Sequence, residues 1–433
     1  MVRAREHVAK LAIRGVNEVA MSGRAVFSYE NRTMLILGLA FGWAFFDRLS
    51  LGFLAPFLEE DLHLNNTKLG MLASALALTW AISGFGVASL ADYFRRRKIL
   101  LVTSVMLFSV CSATSGLATS FLMLLMARLL LGLVAGPVLP LSQSIMAAES
   151  SDHRRGFNMG VVQNFFSSIL GDFAAPLILV AIAAAYGWRT ALYIAAIPSL
   201  IVAVLIAFFI REPKDKIIGG ANSARWSASV KSLLGYRNIW VCAVISCLMV
   251  SSLLIQLTFL PIYLVRSQGL TPAHMSYVMS ALGISSVLSS ILVPALSDRF
   301  GRRPTMALFA FVGVLSPGAA IFLAAPLSLL LPAVAIGFLV TGCFPLFMAT
   351  IPSETVPSHF VATALGLIIG LGNLIGGFGA PTAAGMAGDV FGTSAPLWIA
   401  AALLFGAGLA SFLLRETAPR IVGRMPPSQI SAA

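Results

Sequence analysis

Long apolar runs constrain this chain more than any other feature of its sequence. Each run has the length of about twenty residues that an α-helix needs to cross the roughly 30 Å hydrocarbon core of a bilayer. Of the 433 residues, 58% are hydrophobic and 11% are charged, whereas about a quarter of a soluble domain is charged. The sequence therefore predicts an all-α membrane protein. Twelve such runs lie near 33–57, 68–90, 99–118, 121–146, 157–182, 190–210, 238–264, 275–297, 304–325, 328–350, 360–386 and 394–414.

Charge clusters between the runs recur at a fixed spacing. The segment 90–98 (LADYFRRRK) returns 206 residues later as the segment 296–303 (LSDRFGRR). Other landmarks recur at offsets of 204–206 residues, among them the pair Arg211-Glu212, which returns as Arg415-Glu416. Such a period indicates a duplicated unit. We therefore expect twelve transmembrane helices in two six-helix bundles related by internal duplication.

The orientation follows from the positions of Lys and Arg, which concentrate on the cytoplasmic side of membrane proteins. With the N-terminus inside, the inner segments hold 24 of the 29 Lys and Arg residues, and the outer loops hold three. Both termini are predicted to be cytoplasmic, in a multi-pass protein of the cytoplasmic (inner) membrane. The expected parts are a cytoplasmic N-terminal segment at 1–32, a bundle at 33–210, a cytoplasmic linker at 211–237, a second bundle at 238–414 and a cytoplasmic tail at 415–433.

Composition and spacing exclude several other classes of function. The net charge of +12 fits this topology and attraction to anionic lipid, and no basic stripe outside the spans indicates a nucleic-acid partner. The four cysteines lie within apolar runs and show neither a disulfide framework nor metal-ligand spacing. The five histidines lie in loops or near helix ends, and the inner segments contain no nucleophile–base pair. The sequence predicts no enzyme, no metal site and no bound cofactor.

Four ionisable residues lie inside apolar runs, namely Asp47, Arg48, Arg128 and Asp172. An ionisable group inside a bilayer costs a few kcal/mol or more, so it is presumed functional until a partner explains it. Their equivalents one repeat later are uncharged, which favours function over architecture. At 1.5 Å per residue, Asp47 and Arg128 lie ~15 Å and ~10 Å below the outer surface. This similar depth predicts a joint substrate and proton site; the alternative is a buried ion pair that holds two helices together.

Over nearly its whole length, the chain resembles the major facilitator superfamily of secondary transporters. The features that carry the resemblance are the paired Asp-x-Phe-x-Arg-Arg loops, the sequence RLLLG at 128–132 and the 6+6 repeat. The resemblance implies two bundles that alternately open a central cavity, driven by a proton gradient, in a chain that works as a monomer. The chain departs from the family's loop motif at three positions where the family usually has glycine, namely Ala88, Arg95 and Pro294. These departures put the packing of the second and eighth helices in question.

Within the superfamily, the segment FFDRLS at 45–50 resembles the aromatic-x-Asp-Arg element of the anion:cation symporter branch, which moves sugar acids and other organic anions. The resemblance implies that Asp47 takes the coupling proton and that Arg48 binds the anionic group of the substrate. Ala135 stands where many members of that branch carry a carboxylate, so coupling is expected to rest on Asp47.

Other polar residues complete the predicted site. Asp172 is either a second proton-coupling residue or a structural partner of an arginine. Gln256 is either a pocket residue or part of interhelical hydrogen bonding. The expected substrate-binding residues are Arg48, Arg128, Phe46, Trp80, Gln256 and Asn373.

Charged residues at the inner helix ends form a predicted cytoplasmic gate. The acids there would pair with arginines and accept from helix N-terminal amides, which locks the cytoplasmic side while the cavity faces out. The alternative is topology charges with their counter-ions. The predicted gate residues are Asp92, Arg96, Glu149, Arg154, Asp298, Arg302 and Glu354.

The leading functional hypothesis is a proton-coupled importer of a small organic anion, either a sugar acid or an aromatic or aliphatic carboxylate. It would work by alternating access at a midplane site between the two repeats. An exporter or a drug:proton antiporter on the same fold is the alternative. Two arginines in the cavity favour anions over cationic drugs, but they leave the direction of transport open.

Overall fold

The computed structural model describes residues 28–94, 96–151, 154–212, 233, 235–323 and 326–422. Most of the predicted N-terminal segment, most of the linker and the end of the tail fall outside these ranges. The main helices in the described ranges are α1 (Tyr29–Leu62), α2 (Asn66–Phe94), α3 (Arg97–Ser115), α4 (Phe121–Glu149), α5 (Phe157–Tyr186), α6 (Trp188–Phe209), α7 (Arg237–Arg266), α8 (Pro272–Phe300), α9 (Arg302–Phe322), α10 (Leu327–Thr355), α11 (Thr363–Phe391) and α12 (Ala395–Ser411).

Ten helices within the described residues are long and apolar enough to cross a membrane. The helix α2 and the shorter apolar helix α12 take the second and twelfth places of the order that the sequence predicts. The all-α membrane fold is therefore confirmed, and the full count of twelve spans stays a prediction.

The repeated Arg-Glu pairs cap equivalent helices in the two halves. The Glu212 carboxylate accepts a hydrogen bond from the backbone N–H of Lys98, at the start of α3, over 3.1 Å. In the second half, Glu416 accepts from the backbone N–H groups of Arg302 and Arg303, at the start of α9, over 2.8 and 3.1 Å. The first N–H groups of a helix have no partner inside it, and a carboxylate also suits their positive potential. The duplicated glutamate thus stabilises the third helix of each half.

Two π-helical segments also occupy equivalent places. Ser167–Ala174 lies within α5 and Gly372–Gly379 lies within α11, and the two segments begin 205 residues apart. Each packs against the first helix of its own half (α1 or α7) and against one helix of the other half (α8 or α2). Such segments are rare and frequently occur at functional sites.

The two halves, α1–α6 and α7–α12, meet along the pairs α1–α7, α2–α11 and α5–α8. We call the end of the molecule that carries Phe209 and Arg237 the linker face, and the end that carries Leu62 and Asn66 the opposite face. One apolar core contains residues of both halves, such as Phe53 and Phe259, and two further cores belong to single halves. The shared core indicates that the halves are packed together toward the opposite face.

Polar contacts also join the two halves at the opposite face. The Asp389 carboxylate in α11 accepts hydrogen bonds from Asn66 and Thr67 at the start of α2. Arg266 at the end of α7 pairs with Glu59 in α1 over 2.7 Å. Both contacts lie at the opposite face. The structure is therefore closed at the opposite face.

Glycines allow this closure. A Cβ on Gly70 of α2 would overlap the backbone carbonyl oxygen of Pro381 in α11, and one on Gly52 of α1 would overlap that of Leu257 in α7. Small residues at such positions let membrane helices approach through their backbones.

Candidate functional site

Arg48 projects from the middle of α1 and is partly buried. Its guanidinium carbon lies 4.9 Å from the ring centroid of Trp80 in α2 and 5.7 Å from that of Phe45. Cation–π contacts of this kind stabilise by about 0.5–2 kcal/mol. Among the residues that the structure describes, Arg48 has no carboxylate partner and no hydrogen bond. A positive charge within a membrane span is thus left without a counter-charge.

Arg128 of α4 is almost completely buried, with 1% of its surface exposed. Its Nη1 donates to the backbone carbonyl of Asp47 over 3.3 Å, and its Nη2 lies 3.5 Å from the Ser50 hydroxyl. Both contacts are long, because such bonds are usually about 2.9 Å. Its Nε has no partner in the described part of the chain. Arg128 therefore retains donor groups for an anionic ligand.

The two arginines line one narrow cavity of about 50 Å³ between the halves. A space of that size takes a carboxylate group or a few water molecules. Thr258 of α7 supplies the one hydroxyl group among the described lining residues. The rest of the lining is aliphatic side chains, glycine and proline, including Leu72, Ala77, Leu257 and Pro381.

Asp47 is the neighbour of Arg48 along α1, but its carboxyl group points toward α3 and away from the cavity. The Ser112 hydroxyl in α3 donates to Oδ1 over 3.0 Å, and the Ser50 hydroxyl lies 3.5 Å from the same atom. The residue is 1% exposed, and Oδ2 has no hydrogen-bond partner among the described residues. The structure thus brings Asp47, Arg48 and Arg128 together, and of these three Arg48 and Arg128 line the cavity.

Asp172 lies in the π-helical segment of α5, where this helix contacts α8. Its carboxyl group lies near the hydroxyls of Ser168 and Ser286, and the second of these belongs to the other half. Beside it, the Ser280 hydroxyl of α8 donates to the Phe173 carbonyl over 3.0 Å. No arginine in the described structure pairs with Asp172. The carboxyl group therefore lies where the two halves meet, near hydroxyl groups.

Two predicted substrate-binding residues lie in packed interiors. Phe46 is 1% exposed and packs on Trp43 in the apolar core, with ring centroids 4.7 Å apart. Gln256 is also 1% exposed, and its Oε1 accepts from the Ser316 hydroxyl of α9 over 2.8 Å. This is interhelical hydrogen bonding inside the second half. Neither side chain lines the cavity.

Trp80 and Asn373 lie closer to the predicted site. Trp80 contacts the Arg48 guanidinium directly. The Asn373 side chain donates to the carbonyl of Ile369 over 3.0 Å. Asn373 lies one turn before Gly377, which lines the cavity from the second half. Asn373 thus lies near the lining without being part of it.

The predicted gate residues of the second half form a cluster around Arg302, which is 6% exposed. Its guanidinium pairs with Asp298 over 2.5 Å and with Glu354 over 2.8 Å. Thr417 also donates to Glu354, over 2.7 Å. All these contacts lie within one half.

In the first half, Arg154 donates to the side chain of Asn31 over 2.9 Å. Arg96 is exposed and Glu149 is partly buried. The side chain of Asp92 lies outside the described residues. A lock between the two halves at the linker face stays a prediction.

Three residues with a clear place in the structure were overlooked by sequence reasoning: Ser112, Thr258 and Asp389. A hydroxyl within a span carries little signal, because serine and threonine commonly bond to their own helix. Asp389 lies at a helix end, where an acidic residue is usually a solvated charge. Only its contact with the start of α2 distinguishes it.

These features define a class of protein: a membrane carrier whose positively charged site is enclosed between two duplicated helical halves. No group of three or more His, Cys, Asp or Glu side chains in the described ranges is placed to hold a metal ion. The sequence matches the family model of the Major Facilitator Superfamily over residues 37–381. The chain belongs to the Major Facilitator Superfamily, and it is a transporter rather than an enzyme.

Similar proteins include a protein of Cupriavidus necator named as a probable sulfoacetate transporter, which is 28% identical over 62% of this chain and 66% of its own length. The 3-(3-hydroxy-phenyl)propionate transporter of Escherichia coli is 27% identical over 93% of this chain and 98% of its own. Among solved structures, a D-xylose-proton symporter superposes with a TM-score of 0.74 at 18% identity, over 90% of this chain and 99% of its own.

Proposed function

We propose that this protein imports a small organic anion together with protons, by alternating access, and that a single chain is the transporting unit. The observation that carries the proposal is Arg48, whose guanidinium faces the cavity without a counter-charge in the described structure. Arg128 lies in the same lining with unused donor groups. A bound carboxylate would supply the missing negative charge, and the planar guanidinium binds that group through two parallel hydrogen bonds.

The linker face is the cytoplasmic side in this proposal. The reason is the excess of Lys and Arg in the segments that belong to that face, including both termini, since positive residues are retained on the cytoplasmic side. The closed opposite face then borders the outside, so the conformation described here is the one that receives substrate from, or releases it to, the cytoplasm.

The lining of the cavity favours an anion with an apolar body. A sugar acid carries several hydroxyl groups, and each one that loses water without gaining a partner costs about 1–3 kcal/mol. Thr258 is the one lining hydroxyl in the described residues, while aliphatic groups such as Leu72 and Leu257 dominate the rest. An aromatic or aliphatic carboxylate fits such a lining better than a sugar acid does. The names of the relatives, which refer to sulfoacetate and 3-(3-hydroxy-phenyl)propionate, support an organic acid in general.

Asp47 is the first candidate for the coupling proton. Arg128 contacts its backbone carbonyl and also faces the cavity, so the guanidinium connects the two locations. An anion bound to Arg128 would offset its positive charge and make proton uptake by Asp47 less costly. The loaded site would then be closer to neutral, and a neutral site costs less to enclose away from water while the halves reorient. Asp172 is the second candidate.

Ligand binding to the purified protein tests the proposal. Thermal shifts are measured with 3-phenylpropionate, with its neutral amide and with gluconate, and uptake is then measured in proteoliposomes with and without a pH gradient. We expect stabilisation by 3-phenylpropionate, a weaker effect of gluconate and none of the amide, with uptake accelerated by an acidic exterior. Stabilisation by lipophilic cations and by no carboxylate would instead support a drug:proton antiporter.

A further inference from the structure

Asp389 makes a four-fold polar contact between the two halves. Its Oδ1 accepts from the backbone N–H and the side-chain amide of Asn66, both over 3.0 Å. Its Oδ2 accepts from the backbone N–H of Thr67 over 3.0 Å and from the Thr67 hydroxyl over 2.5 Å. A carboxylate of α11 thus caps the first turn of α2, whose N–H groups have no partner inside their own helix.

We propose that Asp389 is a latch that holds the carrier closed at the opposite face and thereby limits how often it opens to the outside. This inference rests on the proposed function, both on alternating access and on the assignment of the opposite face to the outside. The helices α2 and α11 belong to different halves, so all four hydrogen bonds must break whenever the halves separate at that face.

The surroundings of the contact support this role. Asn66 is 6% exposed, and its backbone and side chain lie directly against Gly385 and Gly388 of α11. These two glycines allow the start of α2 to rest on α11 within reach of Asp389. The negative carboxylate also suits the positive potential at a helix N-terminus. After separation, water replaces each lost hydrogen bond, so the latch biases the equilibrium without blocking turnover.

Asp61 provides a natural comparison at the same face. Its carboxylate accepts from Trp188 Nε1 over 2.9 Å and pairs with Arg189, and both partners belong to its own half. Opening at the opposite face leaves those contacts intact. An acidic residue at this face is therefore a latch only when its partners lie in the other half, and Asp61→Asn is the matched control for Asp389→Asn.

Cysteine accessibility at Ala77 tests the proposal. Ala77 lines the cavity, is 6% exposed and lies next to Gly377 of the other half. In a background without the four native cysteines, Ala77→Cys is labelled in intact cells by a membrane-impermeant maleimide only when the opposite face opens. Asp389→Ala should raise the labelling rate about tenfold. Asp389→Asn should raise it less, because an amide oxygen still accepts, and Asp61→Asn should leave it unchanged.

A second variant protects the test against misfolding of the first. Thr67→Val removes one of the four hydrogen bonds while preserving the shape of the side chain, and we expect a two- to threefold rise, roughly. In inverted membrane vesicles, labelling of the same variants should fall. A wild-type rate in the Asp389 variants or, if these do not fold, in Thr67→Val would overturn the latch, as would an equal rise in Asp61→Asn. These measurements use no substrate, so failure of the latch and failure of the proposed anion uptake are distinguished.

Discussion

The Arg48 guanidinium carbon lies 4.9 Å from the ring centroid of Trp80, across the boundary between α1 and α2. The guanidinium lies over the indole ring and makes no hydrogen bond within the described structure. Stacking on an aromatic ring and bidentate binding of a carboxylate are both properties of arginine that lysine does not share. Arg48 is therefore oriented before any ligand arrives.

Replacement of Arg48 tests its role as the anion-binding group. Arg48→Gln should weaken carboxylate binding about 10- to 150-fold, because a charge-assisted hydrogen bond contributes ~1.5–3 kcal/mol. Arg48→Lys should lose part of the affinity, since it keeps the charge but not the planar fork. Isothermal titration of the purified protein with 3-phenylpropionate measures both. Arg189→Gln, at the opposite face, is the control, and undiminished affinity in Arg48→Gln would leave the charge in the cavity without a binding role.

Replacement of Asp47 separates coupling from binding. Asp47→Asn should abolish uptake driven by a pH gradient, while exchange of substrate across proteoliposome membranes continues, because an amide resembles a permanently protonated carboxyl group. Ser112→Ala, which removes a hydrogen bond to Oδ1, should retain coupling at a reduced rate. Uptake by Asp47→Asn that still accelerates in an acidic exterior would contradict the assignment and make Asp172 the next candidate.

Gly70 should control closure at the opposite face through its backbone contact with Pro381. Gly70→Ala places a methyl group against the Pro381 carbonyl oxygen, so the closed conformation becomes costly and Ala77→Cys should be labelled faster from outside, by about tenfold if the clash costs ~1.4 kcal/mol. Gly366→Ala is the control, because a Cβ there meets open space. Equal labelling of the two variants would show that the contact at Gly70 adapts without opening the halves.

Arg302 should matter for stability rather than for ligand binding. Arg302→Ala removes the guanidinium that pairs with both Asp298 and Glu354, and we expect the free energy of unfolding to fall by about 1–3 kcal/mol. A lower apparent Tm in detergent, with unchanged affinity for carboxylates, is the expected pattern. Arg303→Ala removes a neighbouring side chain that is exposed and should have little effect. A wild-type Tm in Arg302→Ala would show that the cluster is dispensable in this conformation.

The membrane fold was predictable because two strong constraints act on the sequence. The bilayer sets the length of each apolar run, and the duplication repeats the landmarks, as the pairs Glu212 and Glu416 illustrate. The height of residues along their helices was also predictable, since the rise per residue is fixed. The similar depth of Asp47, Arg48 and Arg128 could therefore be expected, and the structure brings these residues together.

The direction of a side chain around its helix was not predictable in the same way. A span such as α1 touches apolar lipid, apolar neighbours and the cavity, so hydrophobicity does not mark one face. Phe46 therefore entered the core, Asp47 turned toward Ser112, and Gln256 bonded inside the second half. The contact of Asp389 with Thr67 joins residues more than 300 positions apart, and no local pattern in the sequence indicates it.

The paired π-helical segments, Ser167–Ala174 and Gly372–Gly379, have a mechanical consequence. Each touches its own half and the other half, so in the proposed alternating access the two segments would act as pivots and the line between them as an axis of rotation. Contacts near a pivot, such as that of the Ser280 hydroxyl with the Phe173 carbonyl, would then persist through a rocking motion. Asp389 and Thr67, at the opposite face, would lie far from that axis, so a small rotation would separate them.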